Sequence, residues 1–253
     1  MMVVGVGYRM LPMVIRSKMP SGRSLYVSLV LLQAGALGLF VTLLLRSPLS
    51  VVFGLTTVGG LVAFGAQVAA MFRRRVSRPF GAPRVDFGLL HAAAAGAWLL
   101  AAAILGVVLL VEPMSPLMLH AAAAYGVFGL VGFLAQMVVA MEAQLLPMAA
   151  WFWMDTASGH RVPPPSPRSM RDRRLQAMVF IGWAAGVPAL AAGMFLESAP
   201  LVSLGAWPLF AAVVVAAIDN VFVVMPGYDG RHRTEVAAVA DCLQEREDIC
   251  VEY

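Results

Sequence analysis

Histidine, carboxylate and amide side chains interrupt otherwise apolar stretches at a few positions of this sequence. These polar side chains are Gln67, His91, His120, Glu142, Asp219 and Asn220. Histidine can ligate a metal or haem iron or exchange a proton near neutral pH, and carboxylates in an apolar setting can bind protons or cations. The chain has no Walker A motif, HExxH motif or nucleophile elbow, which argues against a nucleotide-driven pump or a membrane protease of those motif classes.

The elements that position these residues are predicted from composition. The chain has 253 residues, of which 60% are hydrophobic and 13% charged, with a mean hydropathy of +0.82. Crossing about 30 Å of hydrocarbon takes roughly 20 apolar residues. Six stretches qualify, approximately Leu25–Leu45, Leu49–Phe72, Phe87–Val111, Leu117–Leu146, Leu175–Leu196 and Leu201–Met225. The sequence therefore predicts an all-α, polytopic transmembrane helix bundle with six complete helices.

Positive charge predicts the orientation of the bundle. Of the 18 Lys and Arg residues, all except Arg46 fall on one side of the predicted helices, and such residues are retained in the cytoplasm. We therefore expect a multi-pass protein of a bacterial inner membrane with a cytoplasmic C-terminus. Its partners are the lipid bilayer and, in one interpretation, other membrane subunits. The net charge of +4 reflects this topology and not nucleic-acid binding.

An internal repeat is predicted from a second Leu-Pro-Met. Residues 3–13 align with residues 138–148 without gaps, with five of eleven positions identical. A basic loop and a helical hairpin follow each copy. This predicts four-helix pseudo-repeats: a truncated first repeat at 1–85 with an N-terminal helix remnant, a complete repeat at 86–230, and a cytoplasmic tail at 231–253. The alternative is a short re-entrant or interfacial N-terminal segment whose match is chance.

The Gly132-Phe133 pair, on a helix that runs into Gln-Leu-Leu-Pro-Met, and the Gly-Tyr-Arg-Met-Leu-Pro-Met near the N-terminus resemble the NnrS-like, haem-copper-oxidase-subunit-I-like bacterial membrane proteins. The resemblance implies arcs of four helices, haem with or without copper bound by membrane histidines, and a role in respiration or nitric-oxide tolerance. The sequence departs from that pattern before Gly132, where Tyr125 and Val127 stand in place of histidine. It also lacks the preceding helix of the first arc.

His91 and His120 are the candidate cofactor-binding residues, because they are the two histidines inside predicted spans. The alternative is that each is an ordinary histidine satisfied near the membrane interface. His160 and His232 fall in predicted loops beside arginine, where a surface role is favoured. The predicted depths of His91 and His120 differ by roughly 15–20 Å along the membrane normal, so the two side chains cannot both ligate one haem. No catalytic residue or metal-ligand set is predicted.

A layer of polar residues is predicted roughly 8–10 Å inside the cytoplasmic interface. Its members are Gln67, His91, Glu142, Asp219 and Asn220. It is either a proton-access or cation-binding layer, or a set of side chains hydrogen-bonded to one another and to headgroup water. Two classes of function follow: a haem-associated redox protein, or a non-catalytic assembly subunit or proton-coupled carrier. The sequence leaves open whether the protein is an enzyme.

Overall fold

A computed structural model describes residues 23–73, 86–113, 115–157, 159, 166–167 and 169–225. The helices are α1 Arg23–Leu44, α2 Ser50–Arg73, α3 Phe87–Val111, α4 Pro116–Gly126, a π-helical segment Val127–Ala135, α5 Gln136–Ala157, α6 Arg173–Phe195 and α7 Ala199–Val224. Within the described residues, six helices are long and apolar enough to cross a membrane. The predicted all-α fold class is confirmed. The N-terminal remnant, the tail, His160 and His232 lie outside the described residues.

Side-chain caps start three of the helices. Asp86 accepts a hydrogen bond from the Leu89 N–H at the start of α3, and Ser115 accepts one from Met118 at the start of α4. Asp172 does the same for the Arg174 N–H at the start of α6. Such caps satisfy backbone donors that have no partner within the helix. They fix where α3 and α6 begin, and the candidate site lies at that end of the bundle, which we name the basic end.

The two hairpins α1–α2 and α6–α7 close with the same kind of turn. Arg46 and Glu197 both have φ of 51°, a left-handed conformation that most residues other than glycine avoid. In each turn the next residue donates back to a carbonyl five positions earlier, from Ser47 N to Thr42 O and from Ser198 N to Gly193 O. The similarity between the two hairpins is limited to these turns. The boundaries of the predicted four-helix repeats remain predictions.

The helix predicted to end at Leu146 does not end there. The segment Pro116–Ala157 is one continuous helical stretch of 42 residues, and Pro147 lies buried inside it. Proline removes one backbone donor, but the following Met-Ala-Ala-Trp-Phe-Trp-Met run favours helix, and membrane helices tolerate an internal proline. The predicted end at Leu-Pro-Met is therefore wrong for this copy. The distance of Glu142 from Pro147 therefore does not give its distance from the end of the helix.

Close packing of α6 on α7 depends on small residues. A β carbon at Gly205 would run into the backbone of Leu190, and one at Gly186 would lie 3.0 Å from the Gly205 carbonyl oxygen. Helices in lipid associate through such close contacts, because burial of apolar surface drives them little there. The core cluster on this hairpin is formed by Val179, Trp183, Val187, Leu209 and Ala212. The hairpin is thus a firm support for the residues at its basic end.

Helix α3 packs antiparallel against the π-helical segment and α5. Trp98 contacts Gly132, where a β carbon would lie 2.8 Å from the Trp98 side chain, and Gly88 lies beside Gln144. His91 falls between these two contacts along α3, and Gln136 falls between them on the facing helix. This register brings the histidine and the glutamine together in the interior of the bundle.

Candidate functional site

An arginine from outside the helices occupies the interior of the basic end. Arg171 directly precedes the cap residue of α6, and its Nη1 donates to Asp219 Oδ2 at 2.6 Å. Its Nη2 donates to Asn220 Oδ1 at 2.8 Å and to the Glu142 carbonyl oxygen at 3.0 Å. The side chains of Arg171 and Asp219 are only 8% and 4% exposed. We name Arg171, Asp219, Asn220 and Glu142 the Arg171 cluster.

Local structure explains how the cluster forms. Because Asp172 caps α6, the chain just before it is fixed beside the last turns of α7. Asp219 and Asn220 are neighbours on α7, and successive helical positions point about 100° apart. Asp219 therefore faces the interior, while Asn220 reaches α5, where its Nδ2 donates to Glu142 Oε2 at 3.2 Å. Asn220 thus links the buried ion pair to the Glu142 carboxylate.

The charges of the cluster do not cancel. It holds one guanidinium and two carboxylates, and the guanidinium is in direct contact with only one of them, Asp219. Burial lowers the pKa of the Arg171 guanidinium, and the charges of Asp219 and Glu142 act in the opposite direction. A buried arginine paired with an aspartate in this way stays ionised. With both carboxylates ionised, the cluster carries one net negative charge, which lies on the Glu142 side.

His91 and Glu142 line the same small cavity. Arg171, Asp219 and Asn220 are also among its lining residues, and it has room for about one water molecule. The His91 side chain is almost fully buried, its Nδ1 lies 3.3 Å from Gln136 Nε2, and its ring meets Phe180 edge-on. Gln136 Oε1 has no hydrogen-bond partner within the described part of the chain. The histidine is therefore buried beside the same cavity as the Arg171 cluster.

Glu142 also lines a second opening, at the outer surface of the bundle. A groove between α5 and α7 is lined by Glu142, Leu146, Asn220, Val221, Val224 and Met225. We name it the Glu142 groove. Glu142 is exposed, in contrast to the buried Asp219, and it lines both the groove and the inner cavity. It is the residue that connects the surface of the bundle with the buried polar groups.

Four of the five residues predicted as a polar layer meet at this site: His91, Glu142, Asp219 and Asn220 line one cavity. Gln67, on α2, does not line it, and its two polar side-chain atoms are buried without a hydrogen-bond partner among the described residues. Sequence reasoning missed Arg171 and Gln136. Arg171 stands among loop arginines, and its one distinguishing signal is its position immediately before the helix cap Asp172.

His91 and Asp219 lie at similar distances from the ends of their helices, and Glu142 lies nearer to the level at which α3 begins. His91 is five residues from the cap of α3, and Asp219 is five residues from the end of α7, which places both about 7–8 Å inside. Gln144 donates to the Asp86 carboxylate at 3.5 Å, so it lies level with the start of α3. Glu142, two residues away, is then only about 3 Å inside that level. The reason is that α5 continues past Pro147.

His120 lies at the other end of the bundle. It is in the second turn of α4, and its Nε2 contacts the Glu197 carboxylate in the α6–α7 turn. His91 and His120 therefore do not face each other, and a haem does not fit between them. The His91 ring contacts Gln136 and Phe180, and the cavity that it lines holds about one water. The described residues contain no group of three His, Cys, Asp or Glu side chains placed to hold a metal.

Comparison of the chain with models of known protein families, with curated proteins and with solved structures gave no match in any of the three. The resemblance to NnrS-like and oxidase-like proteins therefore stays a prediction. The helices themselves are those of an integral membrane protein, since six described helices are long and apolar enough to span a bilayer. The site must be interpreted from its own chemistry.

Proposed function

We propose that this integral membrane protein is a proton-coupled carrier in which Glu142 binds the proton. The observation that supports this most strongly is that Glu142 lines both an open groove and the small inner cavity shared with His91, Arg171 and Asp219. A proton-binding group in a carrier needs access from outside the helices and contact with a protected interior. Glu142 has both.

The two carboxylates of the site have different roles in this proposal. Asp219 is held by Arg171 in a buried ion pair and serves as a fixed charge that anchors the start of α6 to α7. Glu142 makes a hydrogen bond to Asn220 through its carboxylate and has no direct ion pair among the described residues. Because its charge is uncompensated, protonation of Glu142 neutralises the cluster. His91, across the cavity, is the second group able to exchange a proton with water held there.

The pairing of the two carboxylates supports a functional role for Glu142. Ionisable residues within membrane-spanning helices are rare and mark functional positions by default. Arg171 compensates the charge of Asp219. Among the described residues, the Glu142 carboxylate accepts a hydrogen bond from the Asn220 amide and lines an open groove. A proton-coupled carrier uses a carboxylate placed in this way.

Infrared difference spectroscopy tests the proposal on the purified full chain. Between alkaline and acidic buffer, the wild type should gain a high-frequency C=O band of a protonated carboxyl group outside bulk water. Glu142→Gln should remove that band. Glu112→Gln is the matched control, because Glu112 is an exposed carboxylate at the opposite end of α3. A band that persists in Glu142→Gln, or that disappears in Glu112→Gln, would contradict the assignment.

A further inference from the structure

We infer that the Glu142 groove binds an amphipathic organic cation of single charge, which displaces the proton from Glu142. This inference rests on the proposed function and names its substrate class. The ligand has an apolar body and one positive charge. Its recognition requires no specific hydrogen bonds.

The walls of the groove are apolar. Leu146 of α5 faces Val221, Val224 and Met225 of α7, and Asn220 and Glu142 are the polar residues of the lining. Met225 is 61% exposed, and an unbranched methionine adapts its shape to different apolar ligands. Such walls suit the hydrocarbon or aromatic body of an amphiphile and offer nothing to a sugar or an inorganic ion.

The charge of the groove selects a cation. Arg171 lines the inner cavity and is not among the residues that line the groove, so it does not offer a positive charge to a ligand there. The remaining charge is the Glu142 carboxylate, and no lysine or arginine lines the described groove. A zwitterionic lipid headgroup would bring a phosphate to a groove whose described lining holds no cation. A single positive charge is complementary to the site.

The location of the groove suits a ligand that arrives from the bilayer. It opens between α5 and the last turn of α7, where Val221 and Val224 are exposed on a membrane-spanning helix. Glu142 lies about 3 Å inside the level at which α3 begins. Amphipathic cations concentrate at the membrane interface with the charged group outward and the apolar part inserted. Their charge therefore reaches Glu142 while the body lies against the valines.

Binding exchanges one charge for another. The protonated Glu142 carboxyl group loses its proton to water, the carboxylate pairs with the bound cation, and the net charge of the site is unchanged. No bond other than O–H is broken, and no electron is transferred. The titratable or charged groups that face Glu142 across the cavity are Arg171, Asp219 and His91. Arg171 and Asp219 compensate each other, and of the remaining two groups Glu142 is the one that lines the groove where the cation binds.

Tetraphenylphosphonium binding to the full chain in phosphatidylcholine nanodiscs tests the inference. We expect saturable binding of one cation per chain, with about one proton released to a weakly buffered medium. Glu142→Gln should weaken binding roughly tenfold or more, because a desolvated charge pair is lost. Glu112→Gln should bind as the wild type does. Val224→Trp, which fills the groove without removing the carboxylate, should also block binding. Tetraphenylborate, of the same shape and opposite charge, should show no saturable binding.

The other outcomes are equally informative. Equal binding of the cation to wild type and Glu142→Gln, or saturable binding of the borate, would overturn the inference and make the groove a purely apolar site. Loss of cation binding in nanodiscs of phosphatidylethanolamine would identify a lipid ammonium as the occupant and also overturn it. If the wild type binds no cation but retains the Glu142 infrared band, the substrate class is wrong while the proposed proton site stands. If the band is absent too, both fail.

Discussion

The Arg171 guanidinium lies 2.6 Å from the Asp219 carboxylate, with both side chains almost fully buried and on segments 48 residues apart. The pair ties the start of α6 to the last turns of α7 and positions Asn220 beside Glu142. It also determines which carboxylate of the site is free. The structural predictions below follow from this pairing and from the packing around it.

Removal of one partner of the pair should destabilise the bundle. Arg171→Met leaves the Asp219 charge buried without compensation, which costs about 3–5 kcal/mol. Thermal unfolding in detergent measures the loss. The double variant Arg171→Met with Asp219→Leu should recover most of it, because no buried charge then remains. Arg174→Met is the control, since Arg174 is exposed at the second position of α6. A loss in Arg171→Met no larger than in Arg174→Met would show that the pair is not buried as described.

Glycine contacts between α6 and α7 should be sensitive to a single methyl group. Gly205→Ala forces the helices apart at Leu190, with a cost of about 1–3 kcal/mol. Gly96→Ala is the matched control on α3, because a β carbon there meets nothing within 4 Å. That variant should be neutral or more stable by roughly 0.5–1 kcal/mol, since alanine is favoured over glycine in a helix. The reverse order of the two melting temperatures would contradict the packing.

The buried contact between His91 and Gln136 should contribute to stability. Gln136→Leu leaves His91 Nδ1 unpaired in the interior, and an unsatisfied buried polar atom costs about 1–3 kcal/mol. Gln33→Leu is the control, because Gln33 is exposed on a membrane-spanning helix and leucine suits that surface. Unfolding midpoints of the two variants measure the difference. If Gln136→Leu proves at least as stable as Gln33→Leu, the glutamine is not the partner of the histidine.

A single chain should not hold one haem between His91 and His120. The first histidine lies beside the Arg171 cluster and the second contacts Glu197 at the opposite end of the bundle. Reduced-minus-oxidised absorbance spectra of the wild type, His91→Ala and His120→Ala test this directly. A six-coordinate haem at one per chain, converted to another spectral form by either substitution, would require the two histidines to be close together and would contradict the structure.

The membrane-spanning helices were predictable because each one is a run of about 20 mostly apolar residues. Each predicted stretch averages hydropathy over about 20 residues, so its ends differ from the observed helices by only a few positions. The exception is the end of α5. Proline at 147 followed a pattern typical of helix ends, but it is buried inside a helix that continues to Ala157. The residues after it favour helix, and membrane helices tolerate an internal proline, so the proline alone did not mark the end.

The candidate site was only partly predictable, for a different reason. Polar residues inside apolar stretches are conspicuous, so His91, Glu142, Asp219 and Asn220 stood out before the structure. Arg171 did not, because a loop arginine beside several others carries no sign that its side chain turns inward. Gln136 did not either, because its partner His91 is 45 residues away. Counted from the sequence, Glu142 also appeared deeper than it is, since its depth depended on the end of α5.

Exchange of an organic cation for a proton across a membrane can be measured with the protein in liposomes. Liposomes that contain the full chain are given an acidic lumen with a trapped pH indicator, and ethidium, a poorly permeant organic cation, is added outside. The account predicts that ethidium accelerates loss of the pH gradient in wild type and in Glu112→Gln, and that Glu142→Gln abolishes this effect. Equal rates in wild type and Glu142→Gln, or no effect of ethidium on the wild type, would contradict it.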